Sequence, residues 1–437
     1  MCYAIPGQVK EINEKSIVVD YFGEEKKALN EFYDLKIGDY ICAQGGHVIK
    51  KVAPQEAKEI LSAWRELFFE LRDVDLRLSR LDFDRENIDK KLTKVLDKIL
   101  EGFKLNREEL IYLANLDNDE SRELFFKAAN FLRQKFHKNS CCVHGIIEIS
   151  NYCSKGCHYC GISTYNHALR RYRMNPDEVV EAAVGAVKIY GFQALVLQSG
   201  EDPNYTVKEL ASIVRRIKER VPVLICISFG EVGLDGLSEL YQAGARALLM
   251  RFETSNQKIY QNLHPGQNLD SRLEHIKRAY KQGYLIMTGG LIGLPGQSQE
   301  DIINDIYLAK ALGAEMYSFG PFIPHPSTPL KEFSAPSQEQ VLKILALIRL
   351  IDPENAKILV TTALQTLNAD MTQAGLLCGA NSVMLNLTPI KYRKQYSIYP
   401  NKAYIAASVE GQIEETISLL KSLGRAPTDL GIAVTNR

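Results

Sequence analysis

From His144 onward the sequence repeats one pattern. Short apolar runs alternate with amphipathic helical stretches. The runs are IIEIS (146–150), QALVLQS (193–199), PVLICIS (222–228), RALLMRF (246–252), YLIMTGG (284–290), EMYSFGP (315–321), KILVTT (357–362) and NSVMLN (381–386). Stretches such as PDEVVEAAVGAVKIYG (176–191) and SQEDIINDIYLAKALGA (298–314) lie between them. Apolar runs of strand length separated by helices read as successive β-strand–helix units, and eight of them predict a closed (β/α)8 barrel of the TIM type. In such a barrel the residues just after each strand gather at one end, where active sites form. Those positions hold SGEDP (199–203), Gly230–Glu231, RFETSN (251–256), GLPGQ (293–297), GPFIPHPSTP (320–329), TTAL (361–364) and NLTP (386–389). They are polar and rich in Gly and Pro, as a catalytic mouth requires.

The loop after the first run, NYCSKGCHYCGI (151–162), carries Cys153, Cys157 and Cys160. Three thiols so close are out of place in an apolar core. The chain has 437 residues and nine cysteines, an odd number that argues against a disulfide framework and for metal ligation. A structural zinc ion would take four ligands, and the fourth would have to be His144 or His158. A [4Fe–4S] cluster held by three thiolates keeps one iron open to a small ligand, which accounts for the missing fourth cysteine. Cys141, Cys142, Cys226 and Cys378 read as buried small residues.

Lys and Arg total 53 and so do Asp and Glu, a balance that argues against nucleic acid and membrane surfaces as partners. No apolar run reaches the roughly 18 residues of a membrane span. The first residues do not show the basic-then-apolar order of a signal peptide, so a cytoplasmic location is expected.

Before the barrel the composition changes twice. SIVVDYF (16–22) and DYICAQGGHVIKKV (39–52) have strand character, and residues 1–75 are expected to form a small, OB-like β-barrel domain ending in a helix. Residues 76–140 are expected to be a helical linker with the first helices of the core, and the densely charged stretch 71–98 is expected to join two folding units. The barrel then occupies 141–437.

The CX3CX2C spacing with Tyr159 before the last cysteine resembles the radical S-adenosylmethionine (SAM) superfamily. In that family the open iron binds SAM, and electron transfer releases a 5′-deoxyadenosyl radical. Over about residues 95–437 the resemblance narrows. The cysteine loop, RYRM (171–174), LVLQSGEDP, RFETSN with LHPG (263–266), GPFIPHPSTPL and GANSVMLNLTP (379–389) are similar to the [FeFe]-hydrogenase maturase family HydE. This resemblance implies one [4Fe–4S] cluster on Cys153, Cys157 and Cys160, with Tyr159 beside the adenine. Ser199, Gly200 and Glu201 would meet the SAM amino group, Glu253 the ribose hydroxyls, and Arg272 the SAM carboxylate. Arg251 would point toward an anionic substrate, and Thr288, His325, Thr361, Thr362 and Asn386 would line its cavity. Arg251, Glu253 and Arg272 can equally be read as a salt-bridge network at the barrel rim. No cysteine follows Tyr399, so the second cluster of some relatives is not expected.

MCYAIPGQVKEI (1–12) resembles the HypC/HupF chaperones of [NiFe]-hydrogenase assembly. That resemblance implies an exposed Cys2, after removal of Met1, able to bind an iron centre carrying cyanide and CO. It departs from the family at Gln44, where a His is common. The two resemblances together imply a radical enzyme of hydrogenase cofactor assembly. Its substrate would be a small Fe–CO–CN–cysteine complex, or else an amino-acid-derived molecule. Its partners would be a reduced ferredoxin- or flavodoxin-type electron donor and other hydrogenase maturases. The other readings are a radical SAM enzyme on an amino acid or in biotin-synthase-like chemistry, and a non-catalytic iron–sulfur scaffold.

Overall fold

In the computed structural model of the chain, residues 5–84 and 88–430 are described. Cys2 lies outside them. Five strands, Gly7–Asn13, Ser16–Tyr21, Glu24–Leu29, Tyr40–Gln44 and His47–Val52, close into a small barrel. Its core of Val9, Ile17, Val19, Ile41 and Val48 is capped by the helix Pro54–Leu78. Trp64, Phe68 and Leu71 recur along that helix at three- and four-residue spacing, which turns one apolar face onto the barrel. Pro54 at its first turn suits a position with no intrahelical N–H bond to lose.

Three helices follow, Lys90–Glu101, Arg107–Ala114 and Asp119–His137, each opened by an Asp or Asn side chain that accepts backbone N–H groups. The large barrel then begins. Its strands are Ser140–Ser150, Ala194–Ser199, Leu224–Ser228, Ala245–Leu249, Leu285–Thr288, Ala314–Tyr317, Lys357–Ile358 and Ser382–Asn386. The first seven pair in parallel, each with the next in chain order, and the eighth pairs with the first. A bridge between Leu359 and Ser382 links the seventh strand to the eighth. The expected (β/α)8 barrel is therefore present, with the small barrel in front of it.

The barrel interior is filled by Cys142, Val196, Cys226, Ala247, Leu249, Met287, Met316, Leu359 and Met384. This packed layer separates the barrel's two ends. The cysteine loop occupies the end where the strands finish. The small barrel sits at the other end: Cys42, Ile49, Val52 and Ala57 pack against Ala194 and Leu224, at the starts of the second and third strands.

The charged stretch after residue 71 does more than connect. Asp75, on the last turns of the long helix, is 1% exposed. Arg133 grips it with two N–H groups, at 2.8 and 2.7 Å, and Arg425 Nε lies 3.0 Å away. Gly424, at φ +67°, lets the final segment pass so close to the helix that a Cβ there would lie 2.3 Å from Asp75 N and 2.4 Å from Leu71 O. Burial, then the neighbouring Arg133, lowers the Arg425 guanidinium to about 9. The single carboxylate thus offsets two buried cations that come from the linker helices and the chain's end. Asp75→Ala is expected to destabilise the protein by about 3–5 kcal/mol, because it strands buried charge. The check is a lowered urea midpoint, against a surface control such as Asp73→Ala.

Candidate active site

The first strand ends at Ser150 and delivers the three-cysteine loop into the mouth. Backbone bonds pin the loop to three other parts of the rim: Ser154 N donates to Glu201 O, His158 N to Leu263 O and Gly161 N to Ile398 O. Arg171 clasps its two ends, donating to Asn151 O and Ile162 O at 2.6 Å each and to Ser163 O at 2.8 Å. Gly200 is required for the approach of the second strand's loop. A Cβ there would lie 2.2 Å from Tyr152 O and 2.7 Å from Cys153 Cβ.

The cysteines face a cavity of about 300 Å³. Burial raises all three thiols, Cys157 to about 12. His264 Nδ1 lies 3.2 Å from Cys157 Sγ, yet it offers no positive charge. Burial, Arg272 and Arg251 push its imidazole down to about 3. Burial outweighs the charges of Arg171 on Cys153 and Arg272 on Cys157, so a bound metal centre has to displace the thiol protons. Among the described residues, the Cys/His/Asp group whose ligand atoms all fall within 4.8 Å of one another lies elsewhere. Three thiols converging on one cavity suit a bound metal centre. Neither proposed zinc partner joins them. His158 Nε2 meets Tyr165 OH at 3.2 Å, and His144 lies toward the other end of its strand, beside Asp429.

The same lining is charged. Lys155, Arg251 and Arg272 line the cavity against Glu201 and Glu253, three cations to two carboxylates. Arg272 Nη2 is 3.3 Å from Glu201 Oε1, and Arg272 Nε is 3.6 Å from Glu231 Oε1. Lys155 Nζ is 3.2 Å from Glu201 Oε2. Burial works against the charge on Arg272, but Tyr260, Glu201 and Glu231 more than offset it. Glu253 Oε1 accepts from Tyr159 OH at 3.2 Å and lies 3.2 Å from Arg251 Nη2. Its other oxygen, Oε2, is buried without a hydrogen-bond partner. Glu253 also has φ +68°, strained for a residue with a Cβ. A strained residue holding an unpaired buried acceptor beside a cavity suits a ligand that brings hydroxyl donors.

Tyr159, Ser199, Gly200, Glu201, Arg251, Glu253, Arg272, Thr361 and Thr362 all line this cavity with the three cysteines. Thr288, His325 and Asn386 stand apart from it. Thr288 Oγ1 donates to Met250 O at 2.7 Å. His325 Nδ1 accepts from Ser327 N at 3.1 Å, within its own loop. Asn386 Nδ2 donates to Glu148 Oε2 at 3.2 Å, and Lys402 pairs with the same carboxylate. Sequence reasoning missed His264, Tyr396, Ile398 and Tyr399, which also face the cavity. The signal for His264 is its place in the LHPG stretch, 263–266. The stretch around Tyr399 has no periodicity or motif to flag it.

Residues 147–309 match the Radical SAM superfamily, and residues 1–64 match the HupF/HypC family. The chain is 36% identical over 334 residues to the [FeFe] hydrogenase maturase subunit HydE of Thermotoga maritima, covering 76% of this chain and 95% of that protein. It is 32% identical to the 3-methylornithine synthase of Methanosarcina acetivorans, over 66% of this chain and 81% of that one. Among solved structures, methylornithine synthase superposes with a TM-score of 0.67 at 27% identity, over 76% of this chain and 97% of that one.

Gly200→Ala is expected to push the cysteine loop out of place while the barrel still folds. After anaerobic iron and sulfide reconstitution, the variant should hold less than half the wild-type iron at unchanged far-ultraviolet circular dichroism.

Proposed function

The chain belongs to the radical SAM superfamily, with a HupF/HypC domain at its N-terminus, and from that premise we propose that it is a HydE-type maturase of [FeFe]-hydrogenase assembly. The observation that carries this reading is the convergence of Cys153, Cys157 and Cys160 with Arg251, Glu253 and Arg272 on one cavity, in a chain 36% identical to a HydE protein over most of both lengths. One [4Fe–4S] cluster on the three cysteines would supply the electron that cleaves SAM to a 5′-deoxyadenosyl radical.

The chain's own residues would do the positioning. Arg272 would turn from Glu201 to grip the SAM carboxylate in two places, as a planar guanidinium can. The unpaired Glu253 oxygen would accept a ribose hydroxyl, and Tyr159 would hold that carboxylate in place. The Ser199–Glu201 backbone would meet the amino group. Arg251, with Thr361 and Thr362, would face the substrate, a small anionic Fe–CO–CN–cysteine complex. Tyr396 and Tyr399 would help close the site to water, which protects a radical from side reactions.

The small barrel would act as a docking module for another maturation factor. Packed on the starts of the large barrel's strands, it is remote from the mouth, which favours docking over direct delivery of substrate. A second reading, a radical enzyme on an amino acid, draws on the 32% identity to 3-methylornithine synthase.

The first test is reduction of the reconstituted protein followed by EPR with and without SAM, and an assay for 5′-deoxyadenosine. A SAM-dependent change in the signal and SAM cleavage are expected. A cluster indifferent to SAM would leave a scaffold, and cleavage stimulated by free amino acids alone would favour the second reading. Glu253→Gln should weaken SAM binding about tenfold or more, the worth of a charge-assisted hydrogen bond, while the EPR signal without SAM stays unchanged.

A further inference from the structure

The barrel's other end holds a second polar chamber, walled by both parts of the chain. Gln44 comes from the small barrel, Cys142 and His144 from the first large-barrel strand, and Asp429 from the final segment. The chamber measures about 20 Å³, room for roughly one water-sized particle. One ligand atom from each of Cys142, His144 and Asp429 lies within 4.8 Å of the others, and all three residues are buried. His144 Nε2 stands 3.2 Å from Asp429 Oδ2.

Two buried polar atoms here have no hydrogen-bond partner: His144 Nδ1 and Gln44 Oε1. Their residues are 4% and 1% exposed. An unpaired buried polar group is unfavourable, and the Gln44 carbonyl oxygen at this chamber points to a ligand that satisfies it on the side where His144 Nε2 faces Asp429. The Gln44 amide is already oriented. Its nitrogen donates to Gln193 Oε1 at 2.5 Å and to Thr428 O, which leaves the carbonyl oxygen for an electropositive neighbour. Thr428 Oγ1 donates to Asp429 Oδ2 at 3.0 Å and steadies that carboxylate.

We propose that Cys142, His144 and Asp429, completed by the Gln44 carbonyl oxygen, bind one divalent first-row metal ion of the zinc class that ties the small barrel to the base of the large one. A thiolate, an imidazole, a carboxylate and an amide oxygen make a four-donor set that such an ion accepts. Tetrahedral zinc places neighbouring sulfur and nitrogen donors about 3.5 Å apart, so side-chain rotations on the order of 1 Å close the site. Binding releases the Cys142 thiol proton to solvent. The charges then balance: thiolate and carboxylate cancel the ion, and the adjoining Lys357 and Glu315, 2.5 Å apart, cancel each other. The packed layer of Cys226, Met287 and Met316 stands between this site and the mouth, so the inference does not rest on the proposed catalysis.

The test uses the full chain with Cys153, Cys157 and Cys160 changed to Ala, stripped of metal and titrated anaerobically with Co2+. One equivalent should bind, with thiolate-to-cobalt charge transfer in the near ultraviolet and intense tetrahedral ligand-field bands in the visible. Zn2+ should bleach both. Cys142→Ser should remove the charge transfer, Asp429→Asn should weaken binding tenfold or more, and Cys2→Ala should change neither. A weak octahedral spectrum overturns the proposal, as does charge transfer that survives Cys142→Ser or disappears with Cys2→Ala. Should Cys142→Ser fail to fold, Gln44→Leu and the spectrum of the parent protein still decide.

Discussion

All eight strands of the large barrel run the same way, and that polarity governs everything else in the molecule. Parallel neighbours need a crossover after every strand, so the two ends of the barrel are built from different material. The finishing end collects the loops that follow the strands, with their cysteines, carboxylates and guanidinium groups. The starting end offers strand beginnings and short returns, a surface another domain can cover. The small barrel takes that surface, with Cys42, Ile49, Val52 and Ala57 against Ala194 and Leu224.

The mouth is arranged around unmet demand. Burial raises three thiols against the pull of Arg171 and Arg272, and the neighbouring His264 is held neutral. Glu253 combines a strained backbone with a buried oxygen that nothing satisfies. Arg272 is shared between Glu201 and Glu231 at contacts of 3.3 and 3.6 Å, long enough for a better partner to compete. Each feature is unfavourable alone, and surrounding packing holds it in place: Arg171 clasps the cysteine loop, and Gly200 admits its close approach. Such local exceptions to good packing mark functional positions.

The junction between the two barrels follows a different logic. Around Asp75 two buried arginines share one carboxylate, so helix, linker and final segment depend on one another. Near Gln44 the same final segment returns through Thr428 and Asp429 to the base of the barrel. Residues 424–429 therefore touch both the long helix and the small barrel's hairpin, and they lock the small barrel at the end away from the cysteine loop.

Sequence alone determined the fold class and picked out most of the charged and cysteine residues that meet in the cavity, because both are written in short-range terms. Strand and helix periods repeat within a few residues, and the cysteine loop, the SGEDP turn and RFETSN each lie within one loop or strand end that the barrel must direct to its mouth. Tertiary structure decided which distant residues complete them. Arg425 meets Asp75, Tyr399 reaches the cavity, His264 stands beside Cys157, and Gln44 and Asp429 share a chamber, although Gln44 and Thr428 are 384 positions apart. No local period encodes such pairs. They arise only when barrel closure brings the chain's end back to its first strand, where burial leaves each polar group to find a partner or a ligand.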